Sequence, residues 1–285
     1  MPLKRKKARG KLTLLSRSAG GYRVRVHEIY DQPWALFVVS FTVLLVTVES
    51  GFRLRQKTAA DIDDSVQELI VAARGAISVL LSLLLGFSLA MAAARYDLRR
   101  QLVVDEANAI RTTALRAQML DEPASSRIRQ LLPEYVDARL NFAVAELYGA
   151  EMRAALDRTQ QLQKELWQEA VAAARQRPSP ITSVFAQSLN QAIDVSENRL
   201  AALEKRVPAP VWLLLGLLSL FNCLIFGASA RRRFWFAMLV SPLMISIVLS
   251  LIADVDSPHG GLIRISQESM DRVRQDLKGG IVRPD

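Results

Sequence analysis

Apolar residues gather in four long runs along the chain, separated by polar and charged stretches. The runs cover residues 34–49, 76–94, 208–228 and 234–253 approximately. A helix rises ~1.5 Å per residue, so about twenty apolar residues match the hydrocarbon core of a bilayer. The pattern predicts an all-α membrane protein with four transmembrane helices in two hairpins, over residues 34–94 and 207–254.

The second apolar run passes into a charged segment without interruption. No Pro or Gly follows Gly86 until well past residue 113, and the first charges are Arg95, Asp97, Arg99 and Arg100. Because nothing in this stretch stops a helix, we predict one long helix that leaves the bilayer near Arg95 and continues into water.

Residues 95–206 are predicted to form a soluble helical bundle inserted between the hairpins. Apolar residues recur there at three- and four-residue steps, and nothing alternates like a strand. Residues 121–124 indicate a stop and restart, Pro133 and Gly149 are candidate breaks, and Ser179 with Pro180 is typical of a helix start. The charged faces are expected to be solvated: Glu134, Asp137, Arg139, Glu151, Arg153, Asp157 and Arg158.

Small residues recur every four positions along the second run. This stripe consists of Ser78, Ser82, Gly86, Ala90 and Ala94, with Phe87 beside it. In lipid, small residues let helix backbones approach closely. The alternative is that the stripe lines a narrow aqueous path, and both interpretations stay open. In the third run, Asn222 favours a polar contact between helices, with a pore or substrate role as the alternative.

The charge balance fits a membrane surface better than a nucleic acid. The chain has 285 residues, of which 51% are hydrophobic, and a net charge of +9. Residues 1–33 form a basic tail with nine Lys and Arg against Glu28 and Asp31. Beside membrane spans, such a tail indicates a topology anchor that contacts anionic lipid headgroups. No nucleic-acid-binding module is recognisable, so no nucleic-acid partner is expected.

Candidate catalytic and metal-binding patterns are absent from the sequence. There is no Walker loop, nucleophile elbow or zinc motif, and the single cysteine and two histidines form no ligand cluster. Asp105 and Glu106 are adjacent, so on a helix they point about 100° apart and make a poor acid–base pair. We expect them to pair with Arg99, Arg100 or the soluble helices. The sequence therefore predicts no enzyme, cofactor or metal.

An acidic cluster at residues 61–64 precedes the second run. Its carboxylates suit the first turn of a helix, where the helix dipole favours negative charge. A cation site is the alternative, although the spacing does not match a known calcium loop.

The segment LLGFSLAMAAARYDLRRQLVVDEANAI resembles the signature of the bacterial bestrophin-like domain family, whose function is not established. The resemblance includes Gly86-Phe87 within the span and a second stretch near the C-terminus. Its motif residues after the span are Asp97, Arg99, Arg100, Asp105, Glu106 and Asn108, and those of the second stretch are Asp254, Asp256 and Arg264. Residues 255–285 are otherwise predicted to form a polar C-terminal tail, apart from a short amphipathic stretch from Leu262 to Leu277.

A more distant resemblance links the chain to bestrophins, which are pentameric chloride channels. It implies a homo-oligomeric anion channel or pore in which the second span lines an axis and Arg95, Arg99 and Arg100 form a basic vestibule. The sequence departs from bestrophins, because Phe87 is the only aromatic residue in the run 76–94 and no acidic calcium clasp is evident. The alternative function is a non-conducting membrane sensor or scaffold whose helical domain binds partners.

The predicted orientation follows from the distribution of basic residues. Four spans place both termini and the soluble domain on one side. On that side the basic tail and the flanks of the soluble domain together carry fourteen basic residues, against seven in the short loops. The positive-inside rule therefore predicts cytoplasmic termini in a bacterial inner membrane. Arg231, Arg232 and Arg233 would lie on the opposite side, at a cost that this rule does not explain.

Overall fold

The computed structural model describes residues 32–58, 64–145, 149–230, 232–258 and 261–279. Within these ranges the chain is helical and contains no strand, which confirms the predicted all-α fold. The basic tail before Gln32 and the acidic cluster at residues 61–63 lie outside the described residues.

Helices follow one another along the described chain with short connections. They are α1 (Pro33–Thr58), α2 (Asp64–Ala117), α3 (Ala124–Val144), α4 (Ala150–Gln176), α5 (Pro180–Glu204), α6 (Ala209–Ser229), α7 (Trp235–Asp256) and α8 (Glu268–Lys278). Four helical stretches are long and apolar enough to cross a membrane: α1, α2, the stretch that ends with α6, and α7. The prediction of four spans is confirmed.

The helices divide into two compact units. The membrane unit contains the described residues of Met1–Ala93 and Val207–Ile263, and the bundle unit contains those of Ala94–Arg206 and Arg264–Asp285. Helix α2 runs unbroken for 54 residues and supplies residues to both units. This continuity confirms that the second span extends as one long helix.

Helix α1 forms the centre of packing in the membrane unit, where it contacts α6 and α7. Two glycines bring the backbones of α1 and α6 together. A Cβ atom on Gly51 would lie 2.1 Å from the carbonyl oxygen of Leu224, and one on Gly227 would lie 2.0 Å from that of Val48. Because those neighbours are backbone atoms, the crossing requires glycine at both positions.

A polar contact joins α2 to α6 within the membrane unit. The Ser78 hydroxyl donates a hydrogen bond to Asn222 Oδ1 at 2.7 Å. Asn222 therefore makes the interhelical contact that the sequence favoured, since a buried amide in an apolar helix needs a polar partner.

Helices α3, α4, α5 and α8 pack with the C-terminal part of α2 around one apolar core in the bundle unit. Its fully buried residues include Ile110, Ile128, Leu132, Val136, Leu162, Leu166, Phe185, Leu189 and Met270. The core forms because apolar residues recur at helical spacing on each element.

Helix α8 lies in the amphipathic part of the predicted C-terminal tail, and it belongs to the bundle unit. Met270 and Val273 are buried in its core. Arg111 pairs with Asp276 at 2.7 Å, and Asp137 pairs with Lys278 at 3.0 Å. Helix α8 is short and mostly polar, and its apolar residues Met270, Val273 and Leu277 carry this packing.

Local sequence signals mark several helix boundaries correctly. Helix α2 ends before residues 121–124 and α3 begins there, while Pro133 lies within α3. At α5, the Ser179 side chain accepts a hydrogen bond from the Thr182 amide at 3.2 Å, and Pro180 occupies the first turn. The predicted start of this helix is confirmed.

We expect Gly227→Ala to destabilise the membrane unit. The added methyl group would overlap the Val48 carbonyl, and such overpacking costs about 1–3 kcal/mol or more. The matched control is Gly216→Ala, because a Cβ there meets no atom within 4 Å. Thermal unfolding in detergent should show a lower midpoint for Gly227→Ala only. Equal midpoints for the two variants would contradict the close crossing.

Candidate functional site

The predicted small-residue stripe lies on the outer surface of the membrane unit. Ser82, Gly86 and Ala90 are exposed, and a Cβ on Gly86 would meet no atom within 4 Å. Ser78 is half-buried because it bonds to Asn222. The stripe therefore does not serve as a packing surface between helices of one chain, apart from its first residue.

Large apolar residues share this outward face of α2. Val79, Leu83 and Phe87 are 70%, 54% and 62% exposed and recur every four residues. Leu81 and Leu85, on the other side of the helix, are buried. The outward face is thus uncharged from residue 79 to residue 90, and it can contact lipid, contact another copy of the chain, or line a pore.

The three arginines of the predicted vestibule do not share one surface. Arg100 is exposed, Arg95 is half-buried and Arg99 is only 2% exposed. The expectation of a common basic surface is therefore wrong for Arg99.

Helical geometry explains the burial of Arg99. It is spaced by three- and four-residue steps from Val103, Glu106 and Ile110, all of which are buried in the bundle unit. Arg100 is one position further along, which turns its side chain about 100° away. In the sequence, the helical spacing of Arg99 from the apolar residues Val103 and Ile110 was the signal that could have predicted its burial.

Glu106 is fully buried and binds two arginines from other helices. Arg139 of α3 donates from Nε to Glu106 Oε1 and from Nη2 to Oε2, the latter at 3.3 Å. Arg199 of α5 donates from Nη1 to Oε2 at 2.7 Å. The ion-pair partners of Glu106 are therefore Arg139 and Arg199 of the soluble helices, which were among the expected partners. We call Glu106, Arg139 and Arg199 the buried triad.

Further hydrogen bonds extend the triad to the rest of the bundle. Arg199 Nη2 donates to Gln267 Oε1 at 2.7 Å, just before α8. Arg139 Nη2 donates to the Ser196 carbonyl at 3.4 Å, and its guanidinium lies 4.6 Å from the centre of the Phe142 ring. These contacts satisfy groups that would otherwise be costly to bury. The prediction that Arg139 lies on a solvated face is wrong.

The triad keeps the Glu106 carboxylate ionised at neutral pH. Burial by itself raises the pKa of this carboxyl, but the adjacent guanidiniums of Arg139 and Arg199 together outweigh that effect and hold the pKa below its ordinary value. Two arginines facing one carboxylate leave the triad with one net positive charge. Its closed geometry suits a structural role.

The late motif carboxylates close turns of the membrane unit. Asp254 Oδ1 accepts the Leu262 amide at 2.8 Å, and a Cβ on Gly261 would lie 2.2 Å from the same oxygen. Both carboxylate oxygens of Asp256 accept the Val207 amide, at 3.0 and 3.2 Å. These aspartates therefore fix the chain after α7 and before α6.

The remaining motif residues lie at the surface or part-way into it. Asp97, Asn108 and Arg264 are exposed, and half-buried Asp105 accepts a hydrogen bond from Gln101 at 2.9 Å. Asp105 and Glu106 thus face different surroundings, as their adjacency predicts. No group of His, Cys, Asp and Glu suited to a metal ion occurs among the described residues.

We expect Glu106→Gln to destabilise the bundle unit by about 3–5 kcal/mol, because it leaves two buried guanidiniums without their counter-charge. The control is Glu134→Gln, which breaks an exposed ion pair with Arg158 and should cost about 1 kcal/mol or less. Denaturant or thermal unfolding measures both. Similar small losses would contradict a tightly coupled triad.

The native protein and Glu106→Gln can also be compared as a function of pH. A carboxyl whose pKa is lowered by folding stabilises the protein above its unfolded pKa, and this contribution is lost as the pH falls through the folded pKa. The stability gap between the native protein and Glu106→Gln should thus be constant near neutrality and narrow below pH 4.5, the ordinary value for this carboxyl. If the stability gap instead widens as the pH falls, folding does not lower the pKa of Glu106.

Solved structures with a similar fold come from membrane proteins. One bacterial bestrophin homologue from Klebsiella pneumoniae matches with a TM-score of 0.64 and 15% identity, over 85% of this chain and 99% of that chain. A second structure of a homologue from that organism gives 0.63 and 14%, over 86% and 96%. A third, described as a membrane protein, gives 0.64 and 14%, over 87% and 98%. At this identity the similarity establishes the fold.

The family assignment comes from the sequence itself. No curated protein matches the chain. The family model for the Bestrophin-like domain, however, matches residues 36–270, from the beginning of α1 into α8. Together with the membrane-spanning helices, this match identifies an integral membrane protein, and the chain belongs to the bestrophin-like family.

Proposed function

We propose that this protein is the subunit of a homo-oligomeric anion channel. The observation that carries the proposal is the outward face of α2, which is long, uncharged and without a packing partner among the described residues of its own chain at Gly86. Membership of the bestrophin-like family and a fold shared with bacterial bestrophin homologues support the same conclusion.

The chemistry of the outward face suits a narrow pore. Small side chains at Ser82, Gly86 and Ala90 let several copies of α2 approach one axis, while Leu83 and Phe87 are large enough to constrict it. An apolar constriction of this kind gates by excluding water. In a homo-oligomer, each copy of the chain would line the pore with the same face of α2.

Basic residues just beyond the apolar run would favour anions. Arg100 is exposed and Arg95 is half-buried, and both follow the apolar run on α2. Fixed positive charge raises the local concentration of anions and repels cations. Because Arg99 is buried, we assign this role to Arg95 and Arg100 alone.

The proposed setting is a bacterial inner membrane with both termini and the bundle unit in the cytoplasm. The excess of basic residues on that side supports this orientation. The basic tail would contact anionic headgroups there. In this role the protein moves ions and catalyses no reaction.

A non-conducting sensor or scaffold is the second candidate. Exposed apolar side chains on the bundle unit favour it, because Met119 and Ile181 line the same cavity of about 220 Å³ and Val184 lies close by along α5. Such a surface can bind another protein.

We expect Gly86→Leu to weaken assembly more than Leu84→Ala does. A leucine at the centre of the outward face would force neighbouring copies of α2 apart, whereas Leu84 is half-buried and its truncation leaves that face unchanged. Mass determination in detergent, with size-exclusion chromatography, measures the oligomer. A monomeric native protein, or equal behaviour of the two variants, would argue against assembly through this face.

Replacement of Arg95 and Arg100 by Gln should lower anion over cation selectivity in reconstituted bilayers. The effect should be largest at low ionic strength, where screening is weakest. Arg153→Gln, at an exposed site on α4, is the control and should leave selectivity unchanged. If the inserted native oligomer passes no ions at any voltage or pH, the channel proposal fails and the scaffold remains.

A further inference from the structure

Four helix ends meet at one end of the membrane unit. Arg55, near the end of α1, donates to the Ala228 carbonyl at 2.9 Å. Gln67, near the start of α2, donates to the Ser229 carbonyl at 3.2 Å, at the end of α6. Arg233, just before α7, pairs with Glu49 of α1. We call this the turn surface, formed by residues 49–57, 67–74, 228–230 and 232–236.

The turn surface is basic. Its described basic residues are Arg53, Arg55, Lys57, Arg74, Arg232 and Arg233, against Glu49 and Glu68. The sequence adds Arg231 to the basic side. It also supplies three aspartates in residues 61–64, two of them before α2 and one at its first residue. Positive charge therefore exceeds negative charge at this end even when every acidic residue is counted.

The ion pairs of the turn surface leave some of its charge available. Arg53 and Arg233 share the single carboxylate of Glu49, with Arg53 at 2.8 Å. Lys57 and Arg232 are exposed and form no ion pair with any described residue. Among the described residues no carboxylate neutralises their charges, and both side chains can bind an anionic group.

Exposed aromatic residues lie next to these charges. Phe234, Trp235 and Phe236 are each more than half exposed, and they begin the apolar run of α7. The Arg233 guanidinium lies 4.5 Å from the centre of the Trp235 ring and 5.6 Å from that of Phe52. Aromatic rings at the end of a membrane span sit at headgroup level, which places the neighbouring basic side chains there as well.

We propose that the turn surface binds the phosphate groups of anionic phospholipids, with Lys57 and Arg232 as the principal charged contacts. Guanidinium and ammonium groups are the usual partners of phosphate. The adjacent aromatic residues favour a lipid over a soluble anion, because only a lipid has acyl chains beside its headgroup that the rings can contact. The net positive charge selects anionic over zwitterionic headgroups.

This binding gives the arginines before α7 a physical role. Basic residues in a short loop on the non-cytoplasmic side oppose the positive-inside rule. Attraction to anionic headgroups offsets that cost on either face of the bilayer. The proposal therefore depends neither on the orientation of the chain nor on ion conduction.

The test compares phosphatidylglycerol with phosphatidylcholine on the purified full-length protein. Native mass spectrometry counts each lipid retained per subunit, and lipid titration in detergent measures the shift in the unfolding midpoint. The test variant combines Lys57→Gln and Arg232→Gln. The control combines Arg153→Gln and Lys164→Gln, which remove the same two residue types from exposed sites of the bundle unit.

We expect the native protein and the control to prefer phosphatidylglycerol. The test variant should lose about fivefold in relative affinity per charge removed, as expected for basic residues near an anionic surface. Trp235→Ala should weaken retention of phosphatidylglycerol as well. Circular dichroism checks that every variant remains helical, and no ion-flux measurement is involved.

Two outcomes would overturn the proposal. If the test variant keeps the native preference, the lipid binds elsewhere, for instance at the basic tail. If glycerol 1-phosphate displaces phosphatidylglycerol at equal concentration, the surface recognises a soluble phosphate and the acyl chains add nothing.

Discussion

The carboxylate of Glu106 holds the bundle unit together. It lies on the part of α2 that continues beyond the apolar run, and it is bound by arginines from α3 and α5. Through Arg199 the same network reaches Gln267 at the approach to α8. The buried carboxylate is tolerated because it binds both guanidiniums, which in turn donate to the Ser196 carbonyl and the Gln267 side chain. The triad thereby fixes which face of α2 the other helices cover, and Arg99 is buried on that face.

Close contact between α1 and α6 sets the corresponding constraint in the membrane unit. Gly51 and Gly227 let these two backbones touch, and α7 packs on α1 as well. This arrangement uses one side of α2 for contacts such as Ser78 with Asn222 and leaves Gly86 and Phe87 facing outward. A single helix thus carries a covered face in one unit and an uncovered apolar face in the other. The proposed pore depends on that division.

Features with a local cause were predictable from the sequence, and features that join distant residues were not. The four spans follow from composition, and the start of α5 follows from Ser179 and Pro180, because each signal lies within a few residues of its effect. The triad partners are 33 and 93 positions from Glu106, and no spacing rule connects them. Arg139 therefore resembled an ordinary surface residue.

The outward face of α2 and the turn surface also could not be predicted fully from the sequence. The small residues of α2 were evident as a pattern, but only the structure distinguishes the exposed Gly86 from the bonded Ser78. The turn surface combines the ends of α1 and α6 with the starts of α2 and α7, so its net charge appears only after folding.

The order of helices in the bundle unit has a consequence for biosynthesis. Helix α8 contributes Met270 and Val273 to the bundle core, yet it is translated after α6 and α7. Domains usually fold as they emerge during synthesis. Until both later membrane helices have been made, the core therefore lacks α8, and the part of α3 that α8 contacts stays uncovered. That apolar surface of the nascent chain is therefore accessible to aggregation and proteolysis while the second hairpin is being inserted.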